Sequence, residues 1–206
     1  MPFQLVVITP ERTLPNEAAT ATALLSRGLE RLHVRKPGAT AAEVAAYLQA
    51  LPPPARRCCM LHSCHEVAKQ TAVRGIHYRE ADRPTAGVIK APPGLEVSTS
   101  FHALPDLGVC RGELDYVFLS PIYSSISKPG HGGEGAAATF PDADALASAL
   151  VGSRYPVLAL GGVTPDRFSE LAELGFAGAA LLGSIWAADD PLAAWDAARR
   201  AAERLP

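Results

Sequence analysis

Residues of the types that bind phosphate, ligate metals or transfer protons recur along the chain at or shortly after the ends of short apolar runs. In chain order they are His33, Arg35 and Lys36; His62; His77 and Asp82; Ser100 and His102; Ser125, Ser127 and Lys128; Gly161 and Gly162; and Gly183 and Ser184. Cationic and hydroxyl side chains suit phosphate groups, and histidine titrates near neutral pH. This set of residue types predicts a site for small phosphorylated substrates, with charge-stabilising or acid–base chemistry.

Glycines mark two places where the backbone itself would meet a phosphate. Gly161 and Gly162 follow one apolar run, and Gly183 precedes Ser184 after the next. Without a β-carbon, glycine lets backbone N–H groups approach an anion closely, and a helix that starts there adds positive potential. We expect a phosphate site at these two turns, although Gly161-Gly162 would also suit a plain tight turn.

Two cationic residues stand on other segments. Arg35 and Lys128 would stabilise the charge that develops on a departing pyrophosphate, and the hydroxyls of Ser125 and Ser127 would donate hydrogen bonds to its oxygens. The same residues would also fit a solvated surface, since single basic side chains are mostly exposed.

Four histidines end or follow apolar runs, namely His33, His62, His77 and His102. If they meet in one place, they can supply acid–base catalysis near neutral pH; otherwise each would be structural, bonded to a backbone carbonyl. We do not expect zinc in the cysteine-rich segment 58–65. Alternate residues of a strand point to opposite faces, so its candidate ligands do not converge.

Eight apolar runs alternate with helical patterns and must position these residues. The runs cover 3–9, 32–35, 58–61, 75–77, 96–100, 115–122, 157–160 and 179–182. Such alternation predicts parallel strands joined by helices, and eight strands close a barrel. We therefore predict an α/β fold, a single-domain (β/α)8 TIM barrel over residues 1–206. The alternative fold, a doubly wound open sheet, would need a glycine-rich dinucleotide-binding turn after the first strand. Segment 9–12 contains no such turn.

Local signals set the helices between the strands. Thr40 and Ser63 each stand three residues before a glutamate, which is the spacing of a capping box. Gly175 is placed to end a helix in the left-handed conformation. Segment 83–95 is ambiguous: it fits a short helix, an extra strand at 88–89, or a loop.

The overall composition argues against several classes of protein. The chain has 206 residues, of which 48% are hydrophobic and 19% charged, so disorder is not expected. A net charge of −2 gives no reason to expect nucleic acid as a partner, and no run of eighteen apolar residues predicts a membrane span. The four cysteines form no CxxC pair, and the N-terminus lacks a charged signal-peptide start, so we expect a cytoplasmic protein.

Several segments, taken in order, resemble the thiamine phosphate synthase family and its thiazole tautomerase relatives over nearly the whole chain. They are Leu32-His33-Val34-Arg35-Lys36, Gly75-Ile76-His77 with Asp82, Ser100-Phe101-His102, segment 115–128, Ala159-Leu160-Gly161-Gly162-Val163 and Leu181-Leu182-Gly183-Ser184-Ile185. The resemblance implies an enzyme that joins an aminopyrimidine diphosphate to a thiazole phosphate, releases pyrophosphate and uses magnesium.

The resemblance also implies roles for individual residues. The diphosphate would be held by Arg35, Ser125, Ser127 and Lys128, and the thiazole phosphate by Gly161, Gly162, Gly183 and Ser184. Asp82 would bind Mg²⁺. We expect the catalytic residues to be Arg35, His62 and Lys128, and the substrate site to be completed by His33, Lys36, Ser100 and His102. Members of the family often pair, so a homodimer is a further expectation.

Several positions depart from the family pattern, among them His33, where synthases prefer glutamine, and Pro37, where they carry a basic or polar residue. His62-Ser63 stands where synthases carry an Asn-Asp pair, which removes one of two magnesium carboxylates, and Pro121 stands where tautomerases carry their catalytic histidine. Three hypotheses follow. The first is a synthase in which His62 or a substrate phosphate compensates for the missing magnesium carboxylate. The second is a paralogue with histidine acid–base chemistry. The third is a non-catalytic protein that binds thiamine phosphates or a partner enzyme. We rank the synthase first.

Overall fold

A closed barrel of eight parallel strands forms the centre of the molecule, in a computed structural model that describes residues 2–84, 88–109, 111–123, 140 and 142–206. The strands are β1 Gln4–Ile8, β2 Leu32–Val34, β3 Cys59–Leu61, β4 Gly75–Tyr78, β5 Val88–Ile89, β6 Glu96–Phe101, β7 Arg111–Gly112, β8 Tyr116–Leu119, β9 Val157–Leu160 and β10 Gly178–Leu181. The barrel closes in the order β1-β10-β9-β8-β6-β4-β3-β2. The predicted (β/α)8 barrel is confirmed.

Helices cover the outside of the barrel. They are α1 Glu17–Ser26, α2 Ala41–Gln49, α3 Pro53–Arg56, α4 Ala68–Thr71, α5 Leu104–Val109, α6 Ala143–Gly152, α7 Phe168–Leu174, α8 Gly183–Trp186 and α9 Pro191–Glu203. Short 3₁₀ turns occur at His65–Val67, Glu80–Asp82 and Pro165–Arg167. Among the described helices, none combines the length and the apolar character needed to cross a membrane.

The helix signals in the sequence are confirmed at two of three places. At the start of α2, Thr40 Oγ1 accepts a hydrogen bond from the Glu43 N–H at 3.3 Å, and the Glu43 carboxylate accepts one from the Thr40 N–H at 2.8 Å. Helix α7 ends at Gly175, whose φ is 99°. In both cases short-range spacing was enough, because a cap involves residues within one turn.

The capping box predicted at Ser63 is wrong. The chain turns at Cys64, which has a left-handed φ of 53°, and the 3₁₀ turn His65–Val67 begins after it with no side-chain cap. A capping residue normally has an extended backbone. The left-handed turn at Cys64 moves the start of the helix one residue further on, so Ser63 and Glu66 lose the spacing that the motif requires.

The ambiguous segment 83–95 contains the short strand β5. It pairs in parallel with β7, and the two form a separate two-stranded sheet outside the barrel. Of the three structures that the sequence allowed there, the extra strand is the one found.

The interior of the barrel is apolar in one part and polar in another. The apolar part consists of Val6, Ile8, Met60, Tyr116, Phe118, Leu158 and Ala180. The polar part contains His33, His62, His77 and Ser98, all buried. Their strand neighbours, such as Val34 and Leu61, pack with the outer core instead. This separation follows from the alternation of side chains along a strand.

Close strand contact explains a glycine in β10. A β-carbon at position 178 would lie 2.1 Å from the backbone oxygen of Gln4, on the neighbouring strand. We expect Gly178→Ala to lower the free energy of unfolding by about 3 kcal/mol, since backbone cannot move aside as a side chain can. The control is Gly108→Ala in α5, where a β-carbon would meet nothing within 4 Å. Urea unfolding measures both; equal effects would contradict the prediction.

Candidate functional site at the barrel mouth

Three histidines meet inside the barrel, toward the carboxyl ends of neighbouring strands. His33 lies on β2, His62 follows β3 and His77 lies on β4. The Nδ1 atom of His33 and the Nε2 atom of His62 are 2.8 Å apart, and the rings of His62 and His77 stack with their centroids 4.1 Å apart. The convergence that the sequence left open is therefore present for three of the four histidines.

Hydroxyl groups surround this histidine cluster, as we call His33, His62 and His77. The Nε2 atom of His33 is 2.6 Å from the Tyr116 hydroxyl. The two ring nitrogens of His77 are 2.8 Å and 2.9 Å from the hydroxyls of Ser98 and Ser100. A hydroxyl can donate or accept, so these partners suit either neutral tautomer of the rings. The predicted substrate residue Ser100 is thus bound to His77.

Burial keeps all three rings neutral at physiological pH. Desolvation lowers the pKa of His33 and His62 well below the usual value, and the neighbouring histidines lower it further. The pKa of His77 falls to about 3, again mainly through burial. A general base works best with a pKa near the operating pH. The histidine cluster is therefore better suited to hydrogen bonding or ligation than to proton transfer.

His102 and Asp82 lie apart from the histidine cluster. The Nδ1 atom of His102 is 2.7 Å from the Ser120 carbonyl oxygen, and about half of its side chain (52%) is exposed. The Asp82 carboxylate accepts hydrogen bonds from Arg79 at 2.5 Å and 3.1 Å. A role for either residue in substrate or metal binding stays a prediction.

The two adjacent cations after β2 have different surroundings. The buried Lys36 ammonium donates to Oε2 of Glu17 at 2.9 Å and to the Pro10 carbonyl at 2.8 Å. The Arg35 guanidinium donates to Glu11 at 2.8 Å and keeps 31% of its side chain exposed. Arg35 is therefore accessible to an anion at the mouth. Lys36 would first have to leave Glu17, and its expected substrate contact stays a prediction.

The two glycine turns lie side by side, because β9 and β10 are paired. Gly161 and Gly162 have φ values of 99° and 64°, which favour glycine. Helix α8 begins at Gly183, and the Ser184 Oγ atom behind it is buried with no hydrogen-bond partner among the described residues. A buried hydroxyl without a partner costs free energy, and a phosphate oxygen would satisfy it.

Three predicted diphosphate ligands, Ser125, Ser127 and Lys128, lie outside the described residues. Their roles stay predictions.

The described residues do not fit a magnesium ion held by protein carboxylates. Magnesium prefers oxygen ligands in octahedral geometry. Asp82 is bound by Arg79, and the one close group of three or more potential ligands found among the described residues consists of histidines alone. Magnesium at Asp82 stays a prediction.

Sequence reasoning missed two residues of this region, Tyr116 and Glu17. Tyr116 faces the interior because it lies two residues before the inward-facing Phe118 in β8, a signal that strand alternation could have given. Glu17 is only 2% exposed. A glutamate in the first turn of a helix is normally solvated, so no signal in the sequence marks this one as the partner of Lys36.

Comparison with known sequences identifies one family. The sequence profile of the family described as thiamine monophosphate synthase matches residues 5–185. A thiamine-phosphate synthase from Chlorobium luteolum is 28% identical over 192 residues, which cover 91% of this chain and 87% of that protein. Another from Arthrobacter sp. is 27% identical over 214 residues, covering 93% and 90%.

Solved structures show the same fold. The thiamine phosphate pyrophosphorylase from Bacteroides thetaiotaomicron has a TM-score of 0.77 and 25% identity, with 98% of each chain covered. The thiamine phosphate pyrophosphorylase from Pyrococcus furiosus has a TM-score of 0.73 and 19% identity, covering 98% of this chain and 96% of that one.

Acid should destabilise the fold through the histidine cluster. Because the folded pKa of these residues is lowered, the unfolded chain binds more protons below about pH 6.5. Each histidine should then cost about 1.4 kcal/mol of stability per pH unit as the pH falls. For His77 this continues to about pH 3. Urea unfolding of the wild type and of His77→Gln between pH 7 and pH 5 measures the slopes. Identical slopes would disprove the assignment.

The buried ion pair should be strongly coupled to folding. Glu17→Gln leaves the Lys36 ammonium buried without its carboxylate, and we expect a loss of about 3 kcal/mol in the free energy of unfolding. A surface pair provides the control: Glu203→Gln, which removes the partner of Arg199, should cost less than about 1 kcal/mol. Chemical denaturation compares them, and a Glu17→Gln effect as small as the control's would rule out the coupling.

Proposed function

The chain belongs to the thiamine monophosphate synthase family, and from this premise we propose that it makes thiamine phosphate. In the proposed reaction the bond between an aminopyrimidine carbon and its diphosphate breaks. The thiazole nitrogen of the second substrate then bonds to that carbon, and pyrophosphate is released. The protein's contribution is to position the two substrates and to stabilise the charge that develops on the leaving group.

The observation that carries the proposal is the pair of glycine turns with the buried Ser184 hydroxyl. Gly161, Gly162 and Gly183 follow two paired strands, and Ser184 Oγ has no partner among the described residues. In barrels of this kind, loops after the last two strands commonly hold a phosphate. We assign the thiazole phosphate to this place, where Ser184 would donate one hydrogen bond and backbone N–H groups the others.

We assign the diphosphate to the part of the mouth near Arg35, which follows β2, a strand separated from β10 by β1 alone. Its guanidinium is part-exposed and bound only through its NH1 atom to Glu11, at 2.8 Å, among the hydrogen bonds described. A guanidinium can bind two oxygens of a phosphate at once and remains charged at any physiological pH. Arg35 would therefore hold the diphosphate and stabilise it as it leaves, together with Lys128, Ser125 and Ser127 as the sequence predicts.

Histidine acid–base chemistry, the basis of the paralogue hypothesis, finds less support. Burial makes the rings of the histidine cluster weak bases, with a pKa of about 3 for His77. The synthase reaction does not require a strong base, because the thiazole nitrogen attacks the aminopyrimidine carbon with its own lone pair. Neutral rings at the floor of the site suit a reaction in which the protein mainly excludes water and orients substrates.

The decisive measurement is pyrophosphate release by the purified protein with the aminopyrimidine diphosphate and the thiazole phosphate, with and without MgCl₂. We expect turnover by the wild type. Arg35→Gln should lower kcat by about 100-fold, because it removes a charge that stabilises the leaving group. Ser184→Ala should raise KM for the thiazole phosphate by about 10-fold, because one hydrogen bond to a charged group is lost.

The matched control is Arg199→Gln, an arginine on α9 whose guanidinium pairs with Glu203. It should leave both constants unchanged. If the wild type binds the thiazole phosphate but releases no pyrophosphate under either condition, the synthase proposal is wrong and the chain is a phosphate-binding relative. Turnover that requires magnesium would show that the reaction needs the ion, without identifying Asp82 as its ligand.

A further inference from the structure

We propose that the histidine cluster is a binding site for one divalent transition-metal ion of the zinc class. The site consists of His33, His62 and His77. It does not depend on the proposed synthase reaction, which uses the mouth of the barrel and needs no ion held by these side chains.

The geometry brings three potential ligands together. One ring nitrogen from each histidine lies within 4.8 Å of those of the other two. Two imidazoles bound to one tetrahedral zinc have their ligating nitrogens about 3.3 Å apart, since each Zn–N bond is about 2.0 Å. The Nδ1 atom of His33 and the Nε2 atom of His62 are 2.8 Å apart. Small ring rotations that increase this distance by about 0.5 Å would let the ion bind between the two nitrogens.

The surrounding hydroxyls can hold two of the three rings, those of His33 and His77, in the tautomers that an ion needs. A ligating histidine usually donates its other N–H to an oxygen acceptor, which fixes the ring. The Tyr116 hydroxyl, 2.6 Å from His33 Nε2, can accept that proton and leave the Nδ1 lone pair of His33 free. His77 lies between the hydroxyls of Ser98 and Ser100, so one nitrogen can bind the ion while the other keeps a partner.

The rings also have the protonation state that an ion requires. Histidine binds metals only as the neutral imidazole, so protonation competes with binding. Burial lowers the pKa of all three residues, and near neutral pH no proton has to be displaced from an imidazolium. The fully buried position also fixes the rings more tightly than an exposed cluster would.

The ligand set selects the class of ion. Three histidine nitrogens without a carboxylate are a suitable ligand set for zinc and similar ions, whereas magnesium prefers oxygen ligands. Arg35 is close enough to lower the pKa of His62, so its charge also opposes a cation at this place. Three neutral ligands do not offset that repulsion or the ion's own charge. The proposed site therefore includes a small anionic fourth ligand such as hydroxide.

The test uses chelator-treated protein dialysed against ZnCl₂ near neutral pH, followed by metal analysis. We expect one zinc ion per chain in the wild type. Affinity should fall by at least about 100-fold in His33→Gln and in His62→Gln, each of which removes a ligand. The control His102→Gln removes a histidine outside the cluster and should retain the ion. Excess MgCl₂ should not displace zinc.

A second measurement on the wild type keeps the proposal testable if a variant fails to fold. X-ray absorption at the zinc edge should show nitrogen and oxygen neighbours at about 2.0 Å, with the pattern of imidazole rings. Sulfur neighbours would assign the ion to the cysteines and overturn the proposal. An absence of bound zinc, or an equal loss of zinc in His102→Gln, would overturn it as well. None of these outcomes affects the pyrophosphate assay, so the two proposals fail separately.

Discussion

Closure of the barrel is the constraint on which the rest of this molecule depends. Parallel pairing of all eight strands fixes which residues of each strand face the interior. In the observed register Leu61 lies beside Ile76, and Ser98 lies between His77 on one side and Tyr116 on the other. Side chains far apart in the sequence therefore share one inner surface, and a polar residue on one strand finds its partners on the next.

The polar part of the interior is stable because its groups are partnered. An unpaired polar group in a low-dielectric interior is costly, whereas a satisfied network is rigid. His33 bridges His62 and Tyr116, and His77 bridges two serines. The same burial that makes these hydrogen bonds strong also removes the positive charge from the rings. It thereby converts residues typical of proton transfer into neutral ligands and hydrogen-bonding groups.

Charged residues near the mouth are held in pairs rather than left free. Lys36 is bound to Glu17, Arg35 to Glu11 and Asp82 to Arg79. The buried pair ties the segment after β2 to helix α1, and so it acts on structure. The more exposed pairs can exchange a carboxylate for a phosphate at small cost, because surface ion pairs contribute little. The difference in burial therefore makes Lys36 a structural cation and leaves Arg35 available to a substrate.

The sequence by itself determined the eight strands of the barrel, the cap at Thr40 and the glycine turn at position 161, because these depend on periodicity and on contacts within a few residues. It also carried the resemblance that the family match confirms. Only the tertiary structure decided that three histidines meet, that Lys36 is bound to Glu17, and that Cys64 rather than Ser63 starts the turn after β3. Those outcomes depend on the register between strands and on the degree of burial, which are properties of the closed barrel and not of any short segment.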